Sequence, residues 1–373
     1  MEQANLKLVT QLRHELHAQP ELSYEETWTK HHLIHFLKTH TKNIEIMDQG
    51  KYFYAVYRAG ENRKNIAFRA DIDALPIPET IDLPYASQNP GVAHKCGHDG
   101  HSASLAGFAL EVDQKGAQHN IFFLFQHAEE TAQGAIEAVE MISKEKIDEI
   151  YGYHNMPGLP LKSVNVIDGT AHFASKGMSI EMEGYPAHAS EPENGINPAY
   201  AIAKIIEAIP QYTAKEKNEG LVLCTIIQID VGSENYGISA HEGKLRMTIR
   251  AEKEVELERL QKNIESLAAR LAEEQGMKVT FTYHDIFPET ANHKECSDIV
   301  RQVCREKELS LLELPKPYRA SEDFGHYLKL AKGSFFFVGM GEDAPTLHTL
   351  HYDFRDEIIE TVVEVYKGIS GTL

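Results

Sequence analysis

The chain is poor in cysteine, in cations and in long apolar runs. Its four cysteines, Cys96, Cys224, Cys296 and Cys304, are spread over 373 residues with no disulfide-framework spacing. A reduced, cytoplasmic protein is the expectation that follows. Lys and Arg number 37 against 56 Asp and Glu, a formal charge of -19. A chain this acidic repels phosphate backbones, so no nucleic-acid partner is expected. No segment is long and apolar enough to span a membrane, and none resembles a secretory leader, so no membrane partner is expected. The first residues instead put Leu6, Val9, Leu12 and Leu16 on one face of an amphipathic helix. Repeats and low-complexity tracts are also missing.

What is present suits a globular protein, with 42% hydrophobic and 25% charged residues. The length exceeds one ordinary core, so two domains are expected.

Ala93–His101 reads A-H-K-C-G-H-D-G-H, with a cysteine, three histidines and an aspartate in nine residues. Thiolate and imidazole groups this close suit a borderline divalent metal such as zinc, manganese or nickel. Gly97 relaxes the backbone between Cys96 and His98, so both side chains can turn to one ion. The competing reading is a polar loop in a chain that carries 20 histidines.

Other stretches supply matching parts. Asn65–Ala70 reads as a strand that delivers R-A-D-I-D-A-L-P, and acids ending an apolar strand are in the usual place for a site in an open α/β sheet. Asp71 and Asp73 would share a face if the strand ran that far, and would otherwise cap the turn before Pro76 and Pro78. Asn120–Phe125 reads as a buried strand running into Gln126-His127-Ala128-Glu129-Glu130. Adjacent carboxylates there are costly without a cation. One can bind metal while the other takes a proton from water, and both can also start the helix that Ile136–Lys144 completes. Ile147–Tyr153 is a further strand, ending on His154, and His348 follows a loop containing Gly339, Gly341 and Pro345. His31, His32 and His35 read as a solvated helix face.

The composition changes near Ser175. Strands are expected at Met178–Glu183, Leu221–Val231, Lys244–Ala251 and Lys278–Tyr283, with helices at Asn197–Ile209 and Glu254–Glu274. This order is the signature of a ferredoxin-like sandwich. A turn, G-Y-P-A-H-A-S, carries His188. The expected architecture is a catalytic open mixed-sheet α/β sandwich (1–174 and 285–373), interrupted by a ferredoxin-like α+β domain (175–284).

With R-H-E-L-H-A-Q-P-E-L at Arg13–Leu22, R-A-D-I-D-A-L-P, C-G-H-D-G-H, A-E-E, G-Y-P-A-H-A-S, S-E-D-F and the late L-H in one chain, the sequence resembles the aminoacylase and carboxypeptidase G-like metallopeptidases. It is most similar to their amidohydrolase branch, which includes N-acyl-amino-acid deacylases, hippurate hydrolase and N-acetyldiaminopimelate deacetylase. The resemblance implies that Cys96, His98, Glu130, His154 and His348 hold two divalent ions, manganese or zinc, with nickel or cobalt also compatible. It makes Glu129 the general base and Asp71 an aspartate that orients the metal site. His188 falls where the inserted domain offers a histidine to the substrate carbonyl, and Arg250 where an arginine meets a substrate carboxylate. It further implies that the inserted domain is a lid and joins two protomers into a homodimer.

Three departures stand out: His127 replaces the usual proline before A-E-E, Tyr236 stands where an asparagine is usual, and no proline follows His348. The function expected is metal-dependent removal of an acyl group from an N-acyl amino acid. The alternatives are a dipeptidase or carboxypeptidase with the same centre, acting on short peptides, and a non-catalytic metal-binding relative.

Overall fold

The N-terminal periodicity becomes helix α1 (Gln3–Ala18), with Val9, Leu12 and Leu16 buried and Leu6 packed at the margin of the core. Helix α2 (Thr27–His40) buries Leu33, Ile34 and Leu37 and leaves His31 and His35 exposed. Its first amides are satisfied by Glu21, whose carboxylate accepts from Trp28 N at 3.1 Å and Thr29 N at 2.9 Å. The structure is a computed structural model describing residues 1–372, and the chain divides into two units. The first comprises 1–171, 290–316 and 323–373; the second comprises 172–289 and 317–322.

The first unit is built on an eight-stranded mixed sheet. In chain order it contains β1 (Ile44–Asp48), β2 (Phe53–Tyr57), β3 (Asn65–Asp71), β4 (Asn120–Gln126), β5 (Glu149–Met156) and β6 (Val164–Val166), joined later by Leu311–Glu313 and Lys332–Gly339. The spatial order is β1-β2-β4-β3-β5, then Lys332–Gly339, β6 and Leu311–Glu313. Strands β4, β3, β5 and Lys332–Gly339 are parallel neighbours, so their carboxyl ends open on one side. Helix α3 (His98–Lys115) packs under this block. The Phe68 ring meets Phe108 at 4.8 Å and Tyr366 at 4.6 Å between centroids. Burying each such ring stabilises by roughly 1.5–3 kcal/mol.

Several local expectations are corrected. Helix α3 begins on His98, not at Ser102. The helix after β4 starts only at Gly134, so Glu129 and Glu130 lie in a turn ahead of it and do not open it. Strand β5 runs through His154 to Met156, and β3 stops at Asp71, which leaves Asp73 beyond the strand. Edge strand β1 was not anticipated. It is only half-buried, so its apolar signal is weak.

The second unit is an antiparallel sheet in the order Val222–Val231, Glu242–Ala251, Ala174–Glu183, Lys278–Phe287, with helices Ala199–Tyr212 and Glu254–Gln275. Burial alternates along Glu242–Ala251, and Leu245, Met247 and Ile249 share a core with Ile180, Ile205, Leu260 and Ile264. The connectivity and order are those of a ferredoxin-like sandwich.

Candidate metal centre

The Cys96 thiol stands between two imidazoles. Its Sγ is 3.4 Å from His154 Nε2 and 3.3 Å from His348 Nε2. Glu130 Oε1 lies 3.5 Å from His348 Nε2 and 3.8 Å from His98 Nε2. Donor atoms within 4.8 Å of one another form five sets: Cys96, His98 and His154; Cys96, Glu130 and His348; His98, Glu129 and Glu130; Asp71, His98 and His101; and Glu129, Glu322 and Asp323. Cys96 belongs to the first two, so its sulfur could serve either set.

Two of the imidazoles are held from behind. His98 Nδ1 donates to the Asp73 carbonyl at 3.0 Å and to Asp73 Oδ1 at 3.1 Å, so its Nε2 faces the cluster. His154 Nδ1 does the same through the Asn155 carbonyl at 2.7 Å. Asp73 Oδ2 also accepts from Ser23 Oγ at 2.7 Å and from Glu130 N at 3.0 Å. His348 holds a left-handed backbone, φ +59°, and its N–H donates to the Lys95 carbonyl at 2.8 Å. Gly97 has φ +102°, and a Cβ there would lie 2.4 Å from Tyr352 Oη and 2.5 Å from Asn155 Oδ1. Asp99 is gripped by Arg13 Nε at 3.0 Å and His17 Nδ1 at 2.7 Å, which ties the R-H-E-L-H segment to the start of α3.

The residues fit a cation. His98 Nε2 and Glu130 Oε1 are buried and lack any hydrogen-bond partner among the described residues. Each such orphan costs about 1–3 kcal/mol unless something fills the gap. Burial pushes the Cys96 thiol well up, and Glu130 adds to it. Burial also pushes the Glu130 carboxyl up to about 7, with His98 opposing and Asp73 adding. Both shifts favour the protonated forms, and a bound ion would displace those protons. Burial pushes His154 down, toward the neutral imidazole a metal requires. A thiolate, imidazoles and a carboxylate together suit zinc or manganese.

The remaining candidates fall as follows. Asp71 is fully buried but binds Arg69 Nη1 at 2.7 Å and His101 Nδ1 at 2.6 Å, and stays 3.8 Å from His98 Nε2. Burial would raise it, yet His98, His101 and Arg69 hold it well below the usual carboxylate range. The carboxylate on His98 Nδ1 is that of Asp73, and sequence gave no way to choose between two acids two residues apart. His101, also passed over, bridges Asp71 and Asn155 Oδ1, the latter at 2.5 Å; its only signal was its place in C-G-H-D-G-H. His127 pairs with Glu137 Oε2 at 3.2 Å and lies edge-on to Tyr24, apart from the donor sets.

In the second unit His188 is exposed, and its Nδ1 accepts from Ser190 N at 3.1 Å, which leaves Nε2–H as a donor. Arg250 Nη1 donates to the Arg319 carbonyl at 3.1 Å and Ser321 Oγ at 2.8 Å. Tyr236 is 98% exposed, while Asn235 Oδ1 accepts from Gly237 N at 3.0 Å and so shapes its own turn.

A buried carboxylate, Glu129, lies beside a cluster of side chains that could hold metal ions, the arrangement of a metal-dependent hydrolase. The chain belongs to Peptidase family M20/M25/M40, whose sequence profile matches residues 67–370. It is 32% identical over 367 residues to N-acetyl-L-cysteine deacetylase of Bacillus subtilis, covering 97% of this chain and 87% of that one. It is 28% identical to hippurate hydrolase of Campylobacter jejuni, covering 96% and 94%. Among solved structures, the Bacillus subtilis YXEP protein, a dinuclear metal binding peptidase of the M20 family, superposes with a TM-score of 0.86 at 25% identity, covering 99% and 98%.

Proposed function

We propose that this chain removes an acyl group from an N-acyl amino acid, with Cys96, His98, Glu130, His154 and His348 holding two divalent ions and Glu129 acting as general base. The observation that carries the reading is the Glu129 carboxylate within 4.8 Å of donor atoms of His98 and Glu130. It is next to the metal donors yet outside both thiolate-centred sets. Relatives named for N-acetyl-L-cysteine and hippurate support an amide beside a carboxylate as substrate. Manganese or zinc is the expected ion, and nickel or cobalt would also suit the donors.

When bound, such ions supply Lewis acidity to a water and to the amide carbonyl. Glu129 takes the proton of the attacking water and passes it to the leaving amine. His188, with Nε2–H free to donate, is assigned to the developing oxyanion, and Arg250 to the substrate carboxylate. Asp71 acts at one remove, fixing His101 and Arg69. We further assign the second unit the role of lid and homodimer contact. Four free cysteines, three of them buried, support a reduced cytoplasmic setting. No helix of the described residues is long and apolar enough to cross a membrane.

The test is free-amine release by metal-reconstituted protein from N-acetyl amino acids, longer N-acyl amino acids and dipeptides. Glu129→Gln should retain metal and lose roughly 10²–10⁴-fold in rate. Release mainly from dipeptides would move the chain to the peptidase reading. A near-wild-type rate in Glu129→Gln would remove Glu129 from its role.

A further inference from the structure

Ala128, directly before Glu129 and Glu130, is wholly buried and holds a left-handed backbone at φ +49°. A residue with a Cβ keeps that conformation only where its surroundings over-determine it. Its carbonyl accepts from Gln133 N at 3.3 Å and Gly134 N at 3.0 Å, which closes the turn toward the following helix. Its own N–H donates to Glu26 Oε1 at 2.7 Å, across 102 residues of sequence.

Glu26 comes from the loop between α1 and α2 and is 6% exposed. That loop is pinned beside the centre by independent contacts. Ala74 N donates to the Glu21 carbonyl at 2.8 Å, and Ser23 Oγ reaches Asp73 Oδ2 at 2.7 Å. Tyr24, itself left-handed at φ +72°, donates to Glu137 Oε1 at 2.9 Å. On the far side of Glu129, the Glu130 amide donates to Asp73 Oδ2 at 3.0 Å. The amides on either side of Glu129 are therefore each taken by a carboxylate from another segment.

We propose that Glu26 is a positioning residue: through the Ala128 N–H it fixes the left-handed turn that aims Glu129. The assignment rests on the reading of Glu129 as the base. Glu26 does not touch the reacting atoms. What it supplies is one acceptor, at one distance, on a turn that lacks the conformational ease of glycine. Burial, with Asp73 adding, pushes its carboxyl up to about 8. A neutral acceptor of the same length, glutamine, therefore suits the same place.

The experiment compares wild type, Glu26→Ala, Glu26→Gln and Glu129→Gln by two readouts. One is amide hydrogen exchange of residues 127–133 in metal-free protein; the other is kcat, KM and metal content after reconstitution. Glu26→Ala should speed exchange at Ala128 about tenfold or more. Its kcat should fall roughly 10–100-fold with KM within about twofold and metal content unchanged. Glu26→Gln should stay within about threefold of wild type in both readouts. Unchanged exchange or unchanged kcat in Glu26→Ala, beside an inactive Glu129→Gln, overturns the anchor alone. A loss in which KM and melting temperature move as far as kcat also overturns it, since that is the mark of a merely structural role. If Glu26→Ala does not fold, Glu26→Gln decides: near-wild-type values support the anchor, and a loss of about tenfold or more overturns it. Wild-type turnover in Glu129→Gln overturns the base assignment and the purpose of the anchor with it.

Discussion

Gly97→Ala asks whether the metal-donor loop depends on one missing methyl group. The backbone at Gly97 is left-handed, φ +102°, so alanine bears a conformational cost of about 1–2 kcal/mol. The new Cβ would also lie 2.4 Å from Tyr352 Oη and 2.5 Å from Asn155 Oδ1, both on buried side chains. Forcing a packed interior apart costs a further 1–3 kcal/mol or so, for a total of about 2–5 kcal/mol. The displaced groups are not idle. Tyr352 Oη donates to the Cys96 carbonyl at 3.2 Å, and Asn155 Oδ1 faces His101 Nε2 at 2.5 Å. Metal affinity should fall roughly 10–100-fold, as it does when the support of a ligand is removed. Gly91→Ala is the control, because it shares a left-handed backbone, φ +80°, but has nothing within 4 Å of its Cβ position. It should cost only the conformational part, about 1–2 kcal/mol, and leave metal binding alone. Denaturant titration of the metal-free proteins and metal content after dialysis against a limiting metal buffer give the two numbers. Equal destabilisation in the two variants, or wild-type affinity in Gly97→Ala, would refute the steric argument.

Cys96→Ala and His348→Ala should each lose bound metal before they lose fold, and wild-type metal content in both would dismantle the donor set. Asp73→Asn should weaken metal binding about 10–100-fold, measured by competition with a chelating dye, since Asp73 orients His98 and grips the Glu130 amide. An unchanged affinity would show that its carboxylate is dispensable there. Metal affinity should also fall with falling pH below about 7, by about tenfold per unit for each proton displaced. The Glu130 carboxyl, pushed up to about 7 chiefly by burial, is protonated below that value in the metal-free protein, and the ion must remove the proton. A flat affinity between pH 5 and pH 7 on the order of one fold would contradict that linkage.

Much of the centre was legible because parallel strands announce their ends. Strand β4 is apolar until Gln126 and then turns polar, so Glu129 and Glu130 were visible as misplaced charge. The pattern located the carboxylates but not their backbone. Nothing in A-E-E discloses that Ala128 is left-handed, because that conformation is imposed by Glu26, 102 residues away. The same holds for R-A-D-I-D. Two-residue spacing predicts a shared face only within a strand, and β3 ends at Asp71. Asp73 was therefore free to turn to His98 while Asp71 stayed with Arg69 and His101. The ferredoxin-like unit is legible from the order of its strands and helices and from alternation along Met178–Glu183, a signal that needs no distant partner. Edge strand β1 lacks that contrast, and R-H-E-L-H gave no hint that Arg13 and His17 meet Asp99. Local pattern reports burial, whereas the pairings that tune the site are long-range.

Cys96 and His348, whose donor atoms stand 3.3 Å apart, are separated by 252 residues. At synthesis rates of about 5–20 residues per second, the thiol leaves the ribosome some 13–50 s before the histidine that completes its surroundings. The whole second unit is made in between. During that interval Cys96 and His98 would offer only part of the proposed donor set. On the proposed donor set, full metal loading requires the chain to have been made through His348. An ion held by both residues, as proposed, would join the chain around His348 to the chain around Cys96 and close a loop whose entropy the unfolded chain would otherwise keep.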